Sequence, residues 1–420
     1  MDAFDTVSIL LVVAGLFGYL NHHFLKLPFT IGLMVSGLLA SLLVVAIDAM
    51  APGLGWGQAI SEAVLGIDFT DSVLRVMLGA LLFAGAMHVN LDDLLDQKGI
   101  ILTLASVGVI LSTVVFGGMA YYIFAALGHP ISLPWCMVFG SLLAPTDPIA
   151  VLGIMKSLGA PKALESKVAG ESLFNDGVGV VVFAALVSWA SSSTGDVPWG
   201  DVGVLFLEEV GGGVVLGLGA GLLVYKAMRT LDEPNLEILL SVGLVMGMTT
   251  VAYALHFSAP LACVFAGLLI GNHGRRLAMS AKTREALDLV WAFIDEALNA
   301  ILFLLVGLEV FQTQSSMLVP ALVAIPMALL ARAVAVSVPV KALSLGRDFL
   351  PGTTPILIWG GLKGGISVAL ALSLPQFEGR GIIIAATYVV VVFSILVQGM
   401  TVGPLIKRLT STDPSQASHH

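Results

Sequence analysis

The chain has 420 residues, of which 57% are hydrophobic and 11% are charged, and its mean hydropathy is +0.99. A soluble domain cannot bury that much apolar surface, so the composition predicts an all-α membrane protein that crosses the lipid bilayer many times. The formal net charge of -9 gives no indication of a nucleic-acid partner. The two cysteines, Cys136 and Cys263, lie in apolar stretches and predict no disulfide.

Thirteen apolar stretches are long enough to span a bilayer, and only short polar connectors separate them. They predict one integral membrane domain over residues 1–410, followed by a short tail, 411–420, whose closing Ser-His-His resembles a tag remnant. We expect the first stretch to be a retained helix, because acidic residues precede it and Lys26 follows it, the reverse of a signal peptide. The predicted spans are 5–25, 29–48, 72–89, 99–127, 131–155, 168–190, 202–228, 236–256, 259–279, 286–311, 317–340, 354–374 and 381–406.

Basic residues are distributed unevenly between the connectors. With the connector that contains Lys26 in the cytoplasm, fifteen lysines and arginines fall on that side, against Arg75 and Arg380 on the other. Cytoplasmic loops carry an excess of basic residues, so the sequence predicts an N-terminus outside and a C-terminus in the cytoplasm. Two further basic residues, Arg332 and Lys363, fall inside predicted spans.

The thirteen spans divide as six, one and six. Because the single linking span makes the second group of six start on the opposite side of the membrane from the first, the division predicts two inverted repeats. The fifth and twelfth spans are then equivalent, and both are interrupted. The fifth contains Pro145 and Pro148, each of which removes a backbone donor, and the twelfth contains four glycines between residues 360 and 365. A proline kink or a glycine packing face would explain either span alone. Two broken helices at matched positions instead predict a crossing and a binding site near the membrane midplane.

Four charged side chains are predicted at a similar depth in the membrane. Asp176 lies nine residues beyond Lys167. If Lys167 marks the water boundary, that is ~14 Å along a helix, close to the middle of the bilayer core. Asp147, Arg332 and Lys363 fall at about the same level. An ionisable group there indicates a functional site by default, and the alternative is a carboxylate neutralised in a buried ion pair.

Three of these groups have a natural partner. Glu171 is five residues from Asp176, so the two acids face different neighbours, and Glu171 is the expected ion-pair partner of Arg332. Where two broken helices cross, Asp147 can compensate the positive helix ends and Lys363 the negative ends.

Asp176 is the acid left without an assigned counter-charge. Ser172 shares its helix face, four residues earlier, and Asn175 can orient either the carboxylate or the broken helix. Carboxylate, hydroxyl and carbonyl oxygens suit a small alkali cation, and no Cys/His cluster suggests a transition metal. We therefore expect a transported cation and no cofactor.

Four sequence motifs resemble those of NhaP-type sodium/proton antiporters, which are related to the animal sodium/proton exchangers. The resemblance extends from about residue 8 to 408 and implies a homodimer in a bacterial inner membrane that works by elevator-like alternating access. On that basis we assign a mobile core to 99–190 and 317–406, and a dimerisation scaffold to 5–89 and 202–311. The motifs are LLAPTDPIAV at 142–151, GESLFNDGVGVVVF at 170–183, FLLVGLEV at 303–310 and WGGLKGGISVALALSLP at 359–375.

The resemblance also implies roles for individual residues. The ion-site residues of the family match Asp176, Ser172 and Thr146. The Asn-Asp pair resembles the electroneutral branch, which exchanges one cation for one proton. Two positions depart from the family pattern: Ala84 stands where members often carry an acidic residue, and Lys363 stands where they commonly carry arginine.

The sequence therefore predicts exchange of sodium or lithium for protons. Potassium/proton exchange on the same scaffold is the near alternative. A cation channel needs a continuous polar pore, whereas the buried charges here cluster at one depth. A membrane-bound enzyme is the least supported class, because no nucleophile-base pair or metal motif is present.

Overall fold

α-Helices make up the part of the chain that the computed structural model describes, and no strand occurs within it. The described residues are 3–27, 29–50, 77–192, 199–308, 317–345 and 352–410. Over these ranges the all-α prediction is confirmed. Arg75, Arg347, the motif residue Glu309 and the predicted tail 411–420 lie outside the described residues.

The helices follow the apolar stretches of the sequence, and π-helical turns continue or join some of them. The α-helices are α1 (Ala3–Leu20), α2 (Phe29–Met50), α3 (Leu78–Met87), α4 (Leu91–Asp96), α5 (Lys98–Thr103), α6 (Val109–Ala126), α7 (Leu133–Leu142), α8 (Ile149–Ser157), α9 (Lys162–Ser191), α10 (Trp199–Met228), α11 (Pro234–Ala254), α12 (Ala259–Leu269), α13 (Arg275–Leu277), α14 (Ala281–Leu308), α15 (Leu318–Leu343), α16 (Thr353–Trp359), α17 (Gly365–Leu372), α18 (Arg380–Phe393) and α19 (Gly399–Thr410). The π-helical turns are Asn21–Leu25, Leu104–Gly108, Ile270–Gly274 and Ser394–Gln398.

Each of the thirteen predicted spans overlaps at least one of these helices. Within the described residues, seven helical segments are long and apolar enough to cross a membrane by themselves. α3, α7 and part of α2 are shorter apolar helices. The number of crossings and the inverted repeats therefore stay predictions. The seven long segments are Ser8–Leu25, Lys98–Ala126, Lys162–Ser191, Leu207–Met228, Pro234–Ala254, Leu318–Leu343 and Arg380–Leu409.

α9 begins earlier than expected, and this changes the position of its charged residues. The chain turns after α8 at Gly159, which has a left-handed φ of 63°, and α9 starts directly after Pro161. Lys167 is consequently inside the helix and only 5% exposed, so α9 extends further before Asp176 than the predicted span 168–190. Asp176 is the fifteenth of the thirty residues of α9, which keeps it at the middle of the helix.

Two helical rods are interrupted, and the interruptions meet. Residues 143–148 separate α7 from α8, and residues 360–364 separate α16 from α17. The first break contains two prolines, which cannot donate to a helical hydrogen bond. The backbone N–H of Asp147 in the first break donates to the carbonyl of Leu362 in the second, at 2.8 Å. Each break thus provides a hydrogen-bond partner for one backbone group of the other break.

Hydrophobic clusters join helices from distant parts of the chain. One cluster fills the space between α6, α7, α15 and α18 around Phe116 and Phe139, whose rings meet edge to face at 4.7 Å. Another joins α3, α10, α11, α12 and α14 around Phe83 and Trp291, with ring centroids 4.6 Å apart. The first cluster also contains Leu370, so it packs one half of each interrupted helix, α7 and α17, against α6, α15 and α18.

The contact between α6 and α7 depends on glycine. A Cβ atom at Gly140 would lie 2.4 Å from the carbonyl oxygen of Thr113 and 3.1 Å from the backbone nitrogen of Gly117. Small residues allow helix backbones to approach this closely in membranes. Gly118, on the same helix as Gly117, has open space where a Cβ would stand.

We expect Gly140→Ala to lower the free energy of unfolding by ~1–3 kcal/mol, because the added methyl group overpacks a backbone contact. Gly118→Ala is the matched control and should leave stability unchanged or slightly raised, since alanine is the better helix former. Thermal unfolding of both purified variants in detergent measures the difference. Equal midpoints for the two variants would contradict the close approach of α6 and α7.

Candidate functional site

Side chains of α9 hold the first helix break at Thr146. Asn175 donates from Nδ2 to the Thr146 hydroxyl at 2.8 Å, and its Oδ1 accepts the Thr146 N–H at 3.3 Å. The Ser172 hydroxyl donates to the Thr146 carbonyl oxygen. An unwound residue exposes backbone groups that must find partners away from water, and here α9 provides them. Three of the residues singled out in the sequence thus lie in mutual contact.

Lys363 and Asp147 lie at the crossing of the two breaks. The Lys363 ammonium donates to the carbonyl oxygens of Ala144 and Pro145, at 3.1 and 3.2 Å, just beyond the C-terminus of α7. A Cβ atom at Gly364, which precedes α17, would be 2.7 Å from a carboxylate oxygen of Asp147. The positively charged Lys363 therefore lies at the C-terminal, carbonyl end of α7. The negatively charged Asp147 lies beside the N-terminal, amide end of α17, and the helix dipoles favour both positions.

Glu171 and Arg332 form a buried ion pair. Arg332 donates from Nη1 to Oε1 of Glu171 and from Nη2 to Oε2, the second at 3.0 Å. The same guanidinium donates to the carbonyl oxygen of Leu357 from Nη2 at 2.8 Å. One bidentate pair with an extra hydrogen bond therefore ties α9, α15 and α16 together.

Asp176 lies one turn beyond Ser172 on α9 and is buried, with 6% of its surface exposed. Its Oδ1 atom is shielded from solvent and has no hydrogen-bond partner among the described residues. α9 passes close to the first break here, since a Cβ at Gly179 would be 2.5 Å from the Pro145 ring. A buried acceptor without a donor costs free energy, which a proton or a cation can recover.

A cavity of about 1030 Å³ connects Asp176 with the protein surface. Thr146 and Ser172 line its buried end, and the exposed residues Lys156 and Lys162 line its outer end. Its other walls come from α3, which includes Ala84, and from α14. Ions in solution can therefore approach Asp176 from one side of the protein, although its Oδ1 atom is itself shielded from solvent.

The sequence analysis did not find the side chains that support the second break. Ser394 Oγ accepts the Lys363 N–H at 2.8 Å, and Gln398 Nε2 donates to the Trp359 carbonyl at 3.1 Å. Ser394 also donates to Gln398 Oε1 at 2.7 Å. Both residues belong to a π-helical turn, and their only signal in the sequence is two polar residues four apart in an apolar span.

No group of three His, Cys, Asp or Glu side chains within the described residues is arranged to hold a metal ion. The oxygen atoms near Asp176 are carboxylate, hydroxyl and carbonyl groups, which bind hard monovalent ions through few ligands and water. An all-helical fold with two interrupted helices, a buried carboxylate and a cavity is typical of secondary transporters.

Comparison with known proteins assigns the family. A family model described as "Sodium/hydrogen exchanger, transmembrane" matches residues 9–408. The chain is 44% identical to the Na(+)/H(+) antiporter NhaP of Pseudomonas aeruginosa over 421 residues, covering 99% of each sequence. It is 35% identical to the Na(+)/H(+) antiporter NhaH of Halobacillus dabanensis, covering 81% of this chain and 84% of that protein. The chain therefore belongs to the sodium/hydrogen exchanger family, whose members are membrane transporters and not enzymes.

The fold agrees with a solved structure of this kind. The sodium proton antiporter MjNhaP1 from Methanocaldococcus jannaschii, determined at pH 8, superposes with a TM-score of 0.79 over 97% of this chain and 98% of that one. The two sequences are 19% identical, so this likeness concerns the fold.

We expect Glu171→Ala and Arg332→Ala each to destabilise the protein by ~3–5 kcal/mol, because each leaves an uncompensated buried charge. Replacing both residues by leucine should cost less than either single change. Size-exclusion yield and thermal unfolding of detergent-purified variants measure the effect. Single variants that are fully stable but inactive in transport would assign the pair to the transport mechanism instead.

Proposed function

We propose that this protein is a secondary antiporter that exchanges sodium or lithium ions for protons, with Asp176 as the carrier of both. The observation that carries the proposal is Asp176 itself, a buried residue that lines the cavity and whose Oδ1 has no partner among the described residues. The antiporter names of the relatives from Pseudomonas and Halobacillus support the choice of sodium and protons.

The cation would bind to oxygen atoms of three residues. Asp176 supplies the charge, and the Ser172 and Thr146 hydroxyls keep lone pairs after the hydrogen bonds they make with the break. Asn175 supports the site by fixing Thr146, while Asp147 and Lys363 support the crossing itself. Small alkali cations suit such hard oxygen ligands.

Exchange follows from the use of one carboxylate by two ions. A proton on Asp176 removes the negative charge that a cation needs, and a bound cation disfavours the proton, so the two exclude each other. Each passage across the membrane then moves either one cation or one proton. We infer electroneutral one-for-one exchange, in agreement with the Asn-Asp pair at 175–176.

The site would open alternately to the two sides of the membrane through an elevator-like movement. In this movement a core, residues 99–190 and 317–406, would shift against a scaffold, residues 5–89 and 202–311. The hydrophobic clusters described above support this division, since one joins α6, α7, α15 and α18 and the other joins α3, α10–α12 and α14. We further propose a homodimer through the scaffold, in the bacterial inner membrane. The cavity reaches Lys156 and Lys162, which the distribution of basic residues assigns to the cytoplasm.

Purified protein in liposomes tests the function. We expect sodium and lithium gradients to drive proton movement, with an apparent KM for the cation that rises as pH falls, since protons compete for the same carboxylate. Saturating cation should restore the maximal rate at mildly acidic pH. A response to potassium alone would assign potassium/proton exchange, and cation flux without stoichiometric proton movement would overturn antiport in favour of a channel.

We expect Asp176→Asn to fold normally and to exchange nothing, because the amide keeps the shape of the side chain but removes its titratable charge. The exposed acid Asp232, between α10 and α11, provides a control, and Asp232→Asn should transport at the rate of the unaltered protein. Proton flux in proteoliposomes and elution volume in detergent measure both properties. Coupled exchange by Asp176→Asn at a normal rate would disprove the role of this carboxylate.

A further inference from the structure

The cavity that leads to Asp176 has a second acidic wall on α14. Asp295, Asn299 and Leu302 all line it from this helix. Leu302 reaches the second helix break, since a Cβ atom at Gly365 would be 2.2 Å from its side chain. Asp295 is seven residues before Leu302, or ~10 Å along the helix, in the outward direction of the cavity. Its carboxylate therefore stands between the cavity mouth and the crossing of the breaks.

The structure fixes the orientation of this carboxylate and places no basic side chain of the described residues beside it. Asn299, which is buried, donates from Nδ2 to the Asp295 backbone oxygen at 2.9 Å and to its Oδ1 at 3.2 Å. Among the described residues, no basic side chain lies within ion-pair distance of Asp295. Asp288, two turns earlier on α14, differs because it pairs with Arg275 and lies 3.6 Å from His88. Asp295 thus faces the cavity without a basic partner among the described residues, and it carries a negative charge there once it is deprotonated.

The charge of the whole cavity has the same sign. Six acidic residues line it against two basic residues, Lys156 and Lys162, which are exposed at its mouth. A cleft lined by one sign of charge between low-dielectric walls concentrates ions of the opposite sign. Cations entering the cavity therefore meet a region of favourable potential before they reach Asp176.

We propose that Asp295 determines the cation affinity of Asp176 on one face of the membrane only. The inference rests on the proposed function, in which α14 belongs to the scaffold while α9 belongs to the moving core. Asp295 then lies near the path to Asp176 when the cavity is open as in this structure, and away from it when the core faces the other side. Asp295 is not a ligand of the bound cation in this scheme; it raises the local cation concentration and stabilises the loaded site through space.

The test compares the apparent KM for sodium on the two faces at about pH 8.5, where carboxylates are deprotonated, using everted and right-side-out membrane vesicles. We expect Asp295→Asn to raise the KM on one face, the cytoplasmic face under the predicted topology. The rise should be at least about two-fold, the effect of a unit charge over roughly 10 Å in bulk water, and larger where the dielectric constant of the cavity is lower. The KM on the other face and the maximal rate should stay unchanged. Asp295→Glu, which keeps the charge, should retain the low KM.

Glu285→Gln is the matched control, because Glu285 is an exposed acid on the same helix, outside the lining of the cavity. It should change neither KM. An equal rise of the KM on both faces for Asp295→Asn, or no rise at all, would overturn the inference. If the unaltered protein shows no sodium/proton exchange, the proposed function fails instead, so the two failures are distinguishable.

A measurement on the unaltered protein keeps the inference testable if Asp295→Asn does not fold. Salt screens charges in aqueous cavities over about 10 Å at 0.1 M ionic strength. Added choline chloride should therefore raise the KM for sodium on the cavity face more than on the opposite face. The same salt dependence on both faces would contradict a scaffold charge that acts in one state alone.

Discussion

The fold depends on how the backbone groups of two interrupted helices are satisfied away from water. In a membrane interior, an N–H or carbonyl group without a partner is expensive, so an unwound segment persists only when other groups bind it. Here the breaks bind each other through Asp147 and Leu362, and Lys363 binds the carbonyl groups that follow α7. The Asn175 side chain donates a hydrogen bond to the Thr146 hydroxyl and accepts one from the Thr146 backbone N–H. α9 is therefore fixed in position against the crossing.

The same constraint accounts for the state of Asp176. Ser172 and Asn175 form hydrogen bonds with Thr146, and the Glu171 carboxylate forms an ion pair with Arg332. Asp176 comes next along α9, at a point where these neighbouring donors are already engaged. An oxygen atom remains unsatisfied beside a cavity. The polar groups that stabilise the interrupted helices thus leave one carboxylate oxygen without a partner, at the residue proposed as the ion carrier.

Much of this arrangement follows from the sequence, because charged residues in apolar stretches are rare and have few possible partners. The positions of the two breaks and the partner of Arg332 could be inferred from prolines, glycines and helical spacing. The start of α9 could not, because Lys167 looks like a boundary residue by type but is buried in the folded chain. Neither could the support of the second break by Ser394 and Gln398, since a π-helical turn leaves no distinct pattern in sequence.

That π-helical turn, Ser394–Gln398, makes chain length a structural requirement of its own. A π turn holds one residue more than an α turn, and the bulge absorbs this residue, so that the helix continues beyond it. Beyond it, Val402 and Ile406 are completely buried on the packed side of α19. A one-residue deletion in the turn would close it to a regular α-helical turn, which keeps both side chains in register but changes how Ser394 and Gln398 face the second break. Substitutions in this span are constrained by polarity, whereas insertions and deletions are constrained by geometry.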